Sequence, residues 1–546
     1  MQSDPRESVG HPQQNLHLDH LPPELLSQIF ECLVPNEPDS GETRPVAYGQ
    51  LNPEESWFEV TRRQSGLRSS CLVSRQFYTL ARRFLYRSIS IIDEVAMVLL
   101  LRTLIEKPAY GQETRYFSCH LTLTESSTIR EIRKYAKEIF RTMDQQLLLG
   151  QTHPLLKYLT TLHNRKMTMD EYDEIPQMIL LCILVLIPKI DKMLLQIPLH
   201  EDDAEYRALL THFHAVTLMN TEGREKWRGH AVPCQHLTKL VLQGDPEEMS
   251  DAEQAAKEDG EAVGVDGSRA GTYWPLLTAC PAVTSVEVTI GNGDWPESSW
   301  FDQDKPLWAS LPHELRNIKH LDLVDSFAAP RDVAVALSCF PQLESLYFEP
   351  KWSPENVGWE DEDDVITLDS ALEKHGRSLR RLDLAWYDCS DCLISISEET
   401  ILSSLPKLTN LEILYVQLAL LFTEGRSYKD REVILDFSNL FPPSLVILVL
   451  EEWWWNDSMY WFPSGNLQEE HVRPEKHLQY CASLEYSLIT FASICPNQLP
   501  SLKVVNFLVR LSRPWIGGGP ETMEQRLANV KSAFAKNGIE FSTWQI

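Results

Sequence analysis

A short apolar spacing, ϕ-x-x-ϕ-x-ϕ, where ϕ is a large aliphatic or aromatic residue, returns along most of this chain and restricts its fold more than any other feature. The clearest copies are Leu237, Leu240, Leu242; Val283, Val286, Val288; Ile318, Leu321, Leu323; Leu343, Leu346, Phe348; Leu379, Leu382, Leu384; and Leu445, Leu448, Leu450. Ile190 with Met193 and Leu195, Leu408 or Leu411 with its followers, and Leu502 with Val505 and Phe507 are weaker copies. Proline opens several of them, at Pro188, Pro281, Pro341, Pro406, Pro443 and Pro500. A strand alternates its side chains between two faces, so the last two ϕ positions of a copy share one face. No single strand buries that face alone; stacked as parallel rungs, each preceded by a covering helix, neighbours bury it together. The expected fold is α/β, an irregular leucine-rich-repeat-like solenoid with parallel short strands. Successive copies lie from 25 residues apart (Ile318 to Leu343) to 57 apart (Leu445 to Leu502), looser than the ~20–29 of a regular leucine-rich repeat.

Inserts account for the irregular spacing. Asp245 to Gly271 is acidic, rich in Ala and Gly and almost without large apolar residues, so a disordered loop is expected there. Glu355 to Asp364 is a second acidic excursion, and Trp453 to His477 a third, this one opening on WWWNDSMYW. The chain closes with an expected cap over 520–546: a helix, Glu521 to Lys536, with Met523, Leu527, Val530 and Phe534 on one face, Gly538 as its C-cap, and a strand from Ile539 to Trp544.

Charge excludes some function classes. Among 546 residues, 50 Lys and Arg face 78 Asp and Glu, a net charge of −28. Such a surface repels nucleic acid and anionic membranes. The most apolar run, Met178 to Ile187, is about ten residues against the ~20 that a helix needs to span a bilayer, so no membrane segment is expected. The eleven cysteines are dispersed and suggest no disulfide framework.

Residues 1–17 read as a disordered tail. In LDHLPPELLSQIFECLV, prolines sit where a first helical turn tolerates them, and Leu25, Ile29 and Leu33, with Leu26 and Phe30 beside them, give a broad apolar helix face. Four prolines then make Pro35 to Arg63 read as irregular. Helical spacing resumes near Leu67, and Ser74 is placed to cap a helix bearing Phe77, Ala81, Phe84 and Leu85. Seven arginines, Arg62, Arg63, Arg68, Arg75, Arg82, Arg83 and Arg87, fall here with no acidic residue among them. An acidic protein thus carries one local basic surface, expected to face a partner.

LPPELLSQIFECL followed by CLVSRQFYTLARRFLYRSISI closely resembles the F-box of ubiquitin-ligase substrate adaptors, particularly the fungal proteins in which an F-box precedes irregular leucine-rich repeats. The resemblance implies an F-box over 18–92 with an insert at 35–64 where the family has a short turn, and a repeat array over 93–546. It further implies that the F-box binds a Skp-family adaptor, which joins it to a cullin, while the repeats hold an as yet unspecified protein to be ubiquitinated. Carried over by position, Leu21, Pro22, Leu25, Ile29 and Leu33 form the first contact strip, and Leu72, Val73, Ser74, Arg75, Phe77 and Leu85 the second. The alternative is a repeat scaffold without ubiquitin chemistry, its F-box vestigial.

No catalytic constellation accompanies these features: G-x-x-x-x-G-K-[ST], G-x-S-x-G and H-E-x-x-H are all absent. Cys389 and Cys392 form one C-x-x-C without a second pair, and His212 with His214 supplies two ligands where zinc needs more. The carboxylates Asp361 to Asp364 read as a solvated run. The expectation is a non-catalytic adaptor without cofactor or metal, in cytoplasm or nucleus. Trp453, Trp454, Trp455, Tyr460 and Trp461 are candidates for substrate contact, since large aromatics dominate binding hot spots.

Overall fold

The computed structural model describes residues 21–34, 53–91, 94–119, 175–197, 234–244, 280, 282–289, 317–326, 330–350, 364–384, 402–422, 435–454, 474–511 and 527–545. The tail 1–17, the acidic loop 245–271, His212, His214, Cys389, Cys392 and Asp361 to Asp363 lie outside them. Among the described residues three helices come first, α1 (Pro23–Leu33), α2 (Pro53–Cys71) and α3 (Arg75–Arg87). Twelve described parallel strands follow: β1 (Ser88–Ile91), β2 (Tyr116–Cys119), β3 (Lys192–Ile197), β4 (Lys239–Gly244), β5 (Ser285–Thr289), β6 (His320–Ser326), β7 (Ser345–Pro350), β8 (Arg381–Leu384), β9 (Ile413–Gln417), β10 (Ile447–Trp454), β11 (Val504–Leu511) and β12 (Glu540–Gln545). Their order in the sheet is their order in the chain, with β1 and β12 at its two edges, so the sheet is open.

Eight of the rungs, β3 to β5 and β7 to β11, are set by a tight turn just before the strand. The N–H of the first ϕ residue donates to the carbonyl three residues earlier: Ile190 to Ile187, Leu237 to Cys234, Val283 to Cys280, Leu343 to Phe340, Leu379 to Gly376, Leu411 to Leu408, Leu445 to Pro442 and Leu502 to Leu499, at 2.9–3.3 Å. Pro188, Pro341, Pro443 and Pro500 occupy the second position of that turn, where the ring's preset φ is what the turn requires. This is the physical reason for the recurrent proline. The residue entering several strands then donates to its counterpart one rung back: Thr238 to Asp191, Glu344 to Lys319, Arg380 to Glu344, Glu412 to Arg380 and Val446 to Glu412, at 2.7–2.8 Å.

The register aligns the ϕ positions across rungs. Leu240, Val286, Leu321, Leu346, Leu382, Leu414 and Leu448 are consecutive partners, as are Leu242, Val288, Leu323, Phe348, Leu384, Val416 and Leu450. All are at most 2% exposed, and each such side chain contributes about 1.5–3 kcal/mol on burial. The same core takes in Met97 and Leu101 of α4 (Glu94–Glu106), Ile179 and Ile183 of α6 (Ile175–Leu186), Val333 and Leu337 of α7 (Pro330–Cys339) and Leu368 and Leu372 of α8 (Asp364–His375). It ends with Leu488 and Phe491 of α9 (Pro474–Gln498) and Val530 and Phe534 of α10 (Ala528–Lys536). Between α4 and β2 lies the single turn α5 (Pro108–Gly111), where a Cβ on Gly111 would lie 1.9 Å from the Leu186 carbonyl oxygen.

The spacing under-reads the array at its start. Tyr86, Ile89 and Ile91 repeat the ϕ pattern, so the exit of the N-terminal helices is itself the first rung, and the sheet begins before residue 93. The rung at β2 escapes the pattern because its first ϕ position is Thr114, buried but polar. The ambiguous copy resolves to Leu411, Leu414 and Val416. The helical unit departs from expectation as well: α2 starts at Pro53, inside the stretch read as irregular. Pro53 stands at the first helical position, where its missing N–H costs no bond. At the far end, Gly538 follows α10 with φ 72°, the left-handed cap the spacing predicts.

Candidate functional site

The three N-terminal helices close around their own small core of Leu26, Phe30, Leu67, Phe77, Ala81 and Phe84, distinct from the core of the sheet. Phe30 meets Phe77 edge-on at 5.4 Å and Phe84 at 6.3 Å. In α1 the inward face is Leu26 and Phe30, which leaves Leu25 and Ile29 45% and 44% exposed on the other side. Between α2 and α3 the chain turns through Leu72 and Val73, 87% and 61% exposed. Ser74 then caps α3, its Oγ accepting from the Phe77 N–H at 3.2 Å. Four large aliphatic side chains are thus held in water by well-formed local structure.

The residues carried over by resemblance separate into three groups. Leu25, Ile29, Leu72, Val73, Arg75 and Pro22 are exposed. Leu21, Leu33 and Leu85 are half-buried against the helical core, and Ser74 is spent on its cap. Phe77 is a correction: at 5% exposure it packs on Phe30 and is absent from the surface, because the third position after an N-cap serine points inward on this helix.

The arginines also divide. Arg83 donates to Ser27 Oγ at 3.0 Å and Arg87 pairs with Glu31 at 3.4 Å, fastening α3 to α1. Arg63 donates to the Val34 carbonyl at 3.4 Å, and Arg82 to the Tyr110 hydroxyl at 3.2 Å. Four of the seven thus also bond within the protein, while Arg62, Arg68, Arg75, Arg83 and Arg87 are exposed and Arg63 and Arg82 half-buried. Arg68 and Arg75, both exposed, flank the Leu72–Val73 turn and give the apolar patch a basic border. A residue missed at the sequence level is Tyr78, 40% exposed on α3; its signal was the i, i+4 series Tyr78, Arg82, Tyr86.

On the array, Trp453 and Trp454 close β10 in register with Arg510 and Leu511; Trp455, Tyr460 and Trp461 lie outside the described residues. The strand face opposite the helices carries a small second cluster of Tyr347, Tyr415, Val449 and Leu508. Beside it the Tyr347 hydroxyl donates to Glu349 and the Tyr415 hydroxyl to Glu451, and Lys239 pairs with Glu287 at 2.6 Å. Burial pushes the thiols of Cys182, Cys339 and Cys495 up to about 12, which keeps them protonated and poor nucleophiles. Among the described residues no group of three or more His, Cys, Asp or Glu is placed to hold a metal ion, and no helix is long and apolar enough to cross a membrane.

Comparison with known proteins agrees with the helical unit. The F-box-like family matches residues 18–92. No curated protein matches the chain. Among solved structures, the yeast Rad7 and Elc1 complex is similar at 12% identity over 73% of this chain and 97% of that one, with a TM-score of 0.22. The three described helices within residues 18–92, closed around Phe30 and running at their end straight into the parallel sheet, are thus similar to an F-box-like domain.

Proposed function

We propose that this chain is the non-catalytic substrate-recognition subunit of an SCF-type ubiquitin ligase. Its F-box-like domain binds a Skp-family adaptor and through it a cullin, the leucine-rich-repeat-like array holds the protein to be ubiquitinated, and the transfer chemistry belongs to other subunits. One observation carries the reading: the F-box-like domain offers Leu25, Ile29, Leu72 and Val73 to solvent inside a border of Arg68 and Arg75. Apolar anchors supply affinity when desolvated, and bordering charge of one sign favours a partner of the other, here acidic. The aromatic segment from Trp453 to Trp461, at the end of β10, is assigned to substrate contact.

The test is affinity capture of the full chain from cells with the proteasome inhibited, beside a Leu25→Ala, Leu72→Ala version. Recovery of a Skp-family adaptor and a cullin with the native chain alone supports the reading. Recovery with neither version overturns it in favour of a scaffold.

A further inference from the structure

The two cores of this protein do not merge, and the boundary between them falls inside one helix. Phe84 and Leu85 of α3 pack into the F-box-like core, while Tyr86, one residue on, packs against the core of the sheet. The chain enters β1 at Ser88 without a linker. Rotation of the domain on the sheet is therefore restrained by whatever bridges α3 to the first elements of the array.

That bridge is a stack of aromatic and cationic side chains. Tyr78, Arg82 and Tyr86 lie on one side of α3 at i, i+4 spacing. Tyr110 of α5 fits among them: its ring lies 4.4 Å from that of Tyr86, its hydroxyl 3.5 Å from that of Tyr78, and the Arg82 guanidinium 4.8 Å over its face. The same guanidinium lies 5.5 Å from the Tyr78 ring, and Lys107 stands 5.6 Å over Tyr110. Gln64 of α2 adds a hydrogen bond to the Ser88 carbonyl at 3.3 Å. The bonds from Tyr110 and Arg82 hold the Tyr78 phenol below its ordinary range, so the cluster is electrostatically connected as well as packed.

We propose that the Tyr78–Arg82–Tyr110 stack sets the angle between the F-box-like domain and the sheet, with Arg82 and Tyr110 as positioning residues. The consequence for ubiquitin transfer rests on the function proposed above; the structural statement does not. With the stack intact, a protein bound on the array is held at one distance and orientation from the domain that docks the adaptor. Without it, the α3–β1 connection and the Gln64–Ser88 bond are left to join the two cores, and the domain swings.

The full chain, labelled with spin probes at the exposed positions Glu24 and Lys189 through introduced non-cysteine handles, reports this directly by pulsed dipolar spectroscopy. The native chain and Arg82→Lys, which keeps the cation, give one narrow distance peak. Arg82→Met and Tyr110→Leu lose it to a broad distribution while their melting still shows both cores folded. Tyr110→Phe, which keeps the ring and loses one hydroxyl, broadens the peak less and covers the case in which Tyr110→Leu fails to fold. An unchanged narrow peak in Arg82→Met and Tyr110→Leu overturns the proposal. In reconstituted transfer, adaptor affinity is the same for all variants, and transfer to bound substrate falls roughly tenfold in the broad ones, as expected when reacting groups lose their alignment. A broad distribution in a chain that never binds adaptor leaves the joint standing and rejects the ligase reading instead.

Discussion

The F-box-like domain encloses six apolar side chains centred on Phe30, whereas the array threads one continuous core through twelve rungs. In the small core every side chain touches the same few neighbours, so loss of one is felt by all. In the array each rung leans mainly on the rungs beside it, and damage stays local. The domain nevertheless leaves Leu25, Ile29, Leu72 and Val73 in water, while the array carries its apolar positions inward rung after rung.

The sharpest break of this contrast is Phe30→Ala, which removes the centre of the helical core at a cost of about 3–5 kcal/mol. Calorimetry is expected to show the domain melting separately and early, with the array's transition unmoved. A single transition shifted as a whole would mean the two cores unfold as one. Next is Gly111→Ala. Its Cβ would collide with the Leu186 carbonyl, a backbone atom that cannot turn aside, and overpacking of this kind costs about 1–3 kcal/mol. Urea unfolding should register that loss in the array.

Leu72→Ala inverts the pattern. Stability should move by no more than about 0.5 kcal/mol, while adaptor binding weakens by about tenfold or more, as for a hot-spot residue. Titration of purified adaptor checks both halves. Ser74→Ala removes the cap of α3 and should lower the domain's stability by about 1 kcal/mol, read as an earlier melt of the first transition.

The smallest effect lies just before β6 and β7, where Lys319 donates to Glu344 at 2.6 Å and holds its carboxyl below the usual value. A depressed folded-state pKa means that the pair's contribution is fully present above the ordinary carboxylate range. It is lost as pH falls through the folded value. Between about pH 5 and 3 the native chain should therefore lose slightly more stability than Lys319→Met, and the gap should shrink in high salt. Equal acid sensitivity would show the pair to be without weight, as exposed pairs often are.

Sequence alone determined the repeated parts. The ϕ-x-x-ϕ-x-ϕ spacing announced parallel rungs because strand alternation ties a face to a period. The recurrent proline announced the turn before several rungs because its φ is fixed. Leu25 and Ile29 stood out by helical spacing beside Leu26 and Phe30, and Ser74 by its capping chemistry. Tertiary structure decided what periodicity cannot express. It placed Phe77 in the core and Leu72 in solvent, bridged the exposed Arg83 and Arg87 to Ser27 and Glu31 of α1, and made a rung of β2, whose first apolar position is a buried threonine. It also brought Tyr110 to Arg82, 28 residues away in the chain. Local patterns encode which face of an element is apolar; which face meets which, and which is left for a partner, is settled only when separate elements pack.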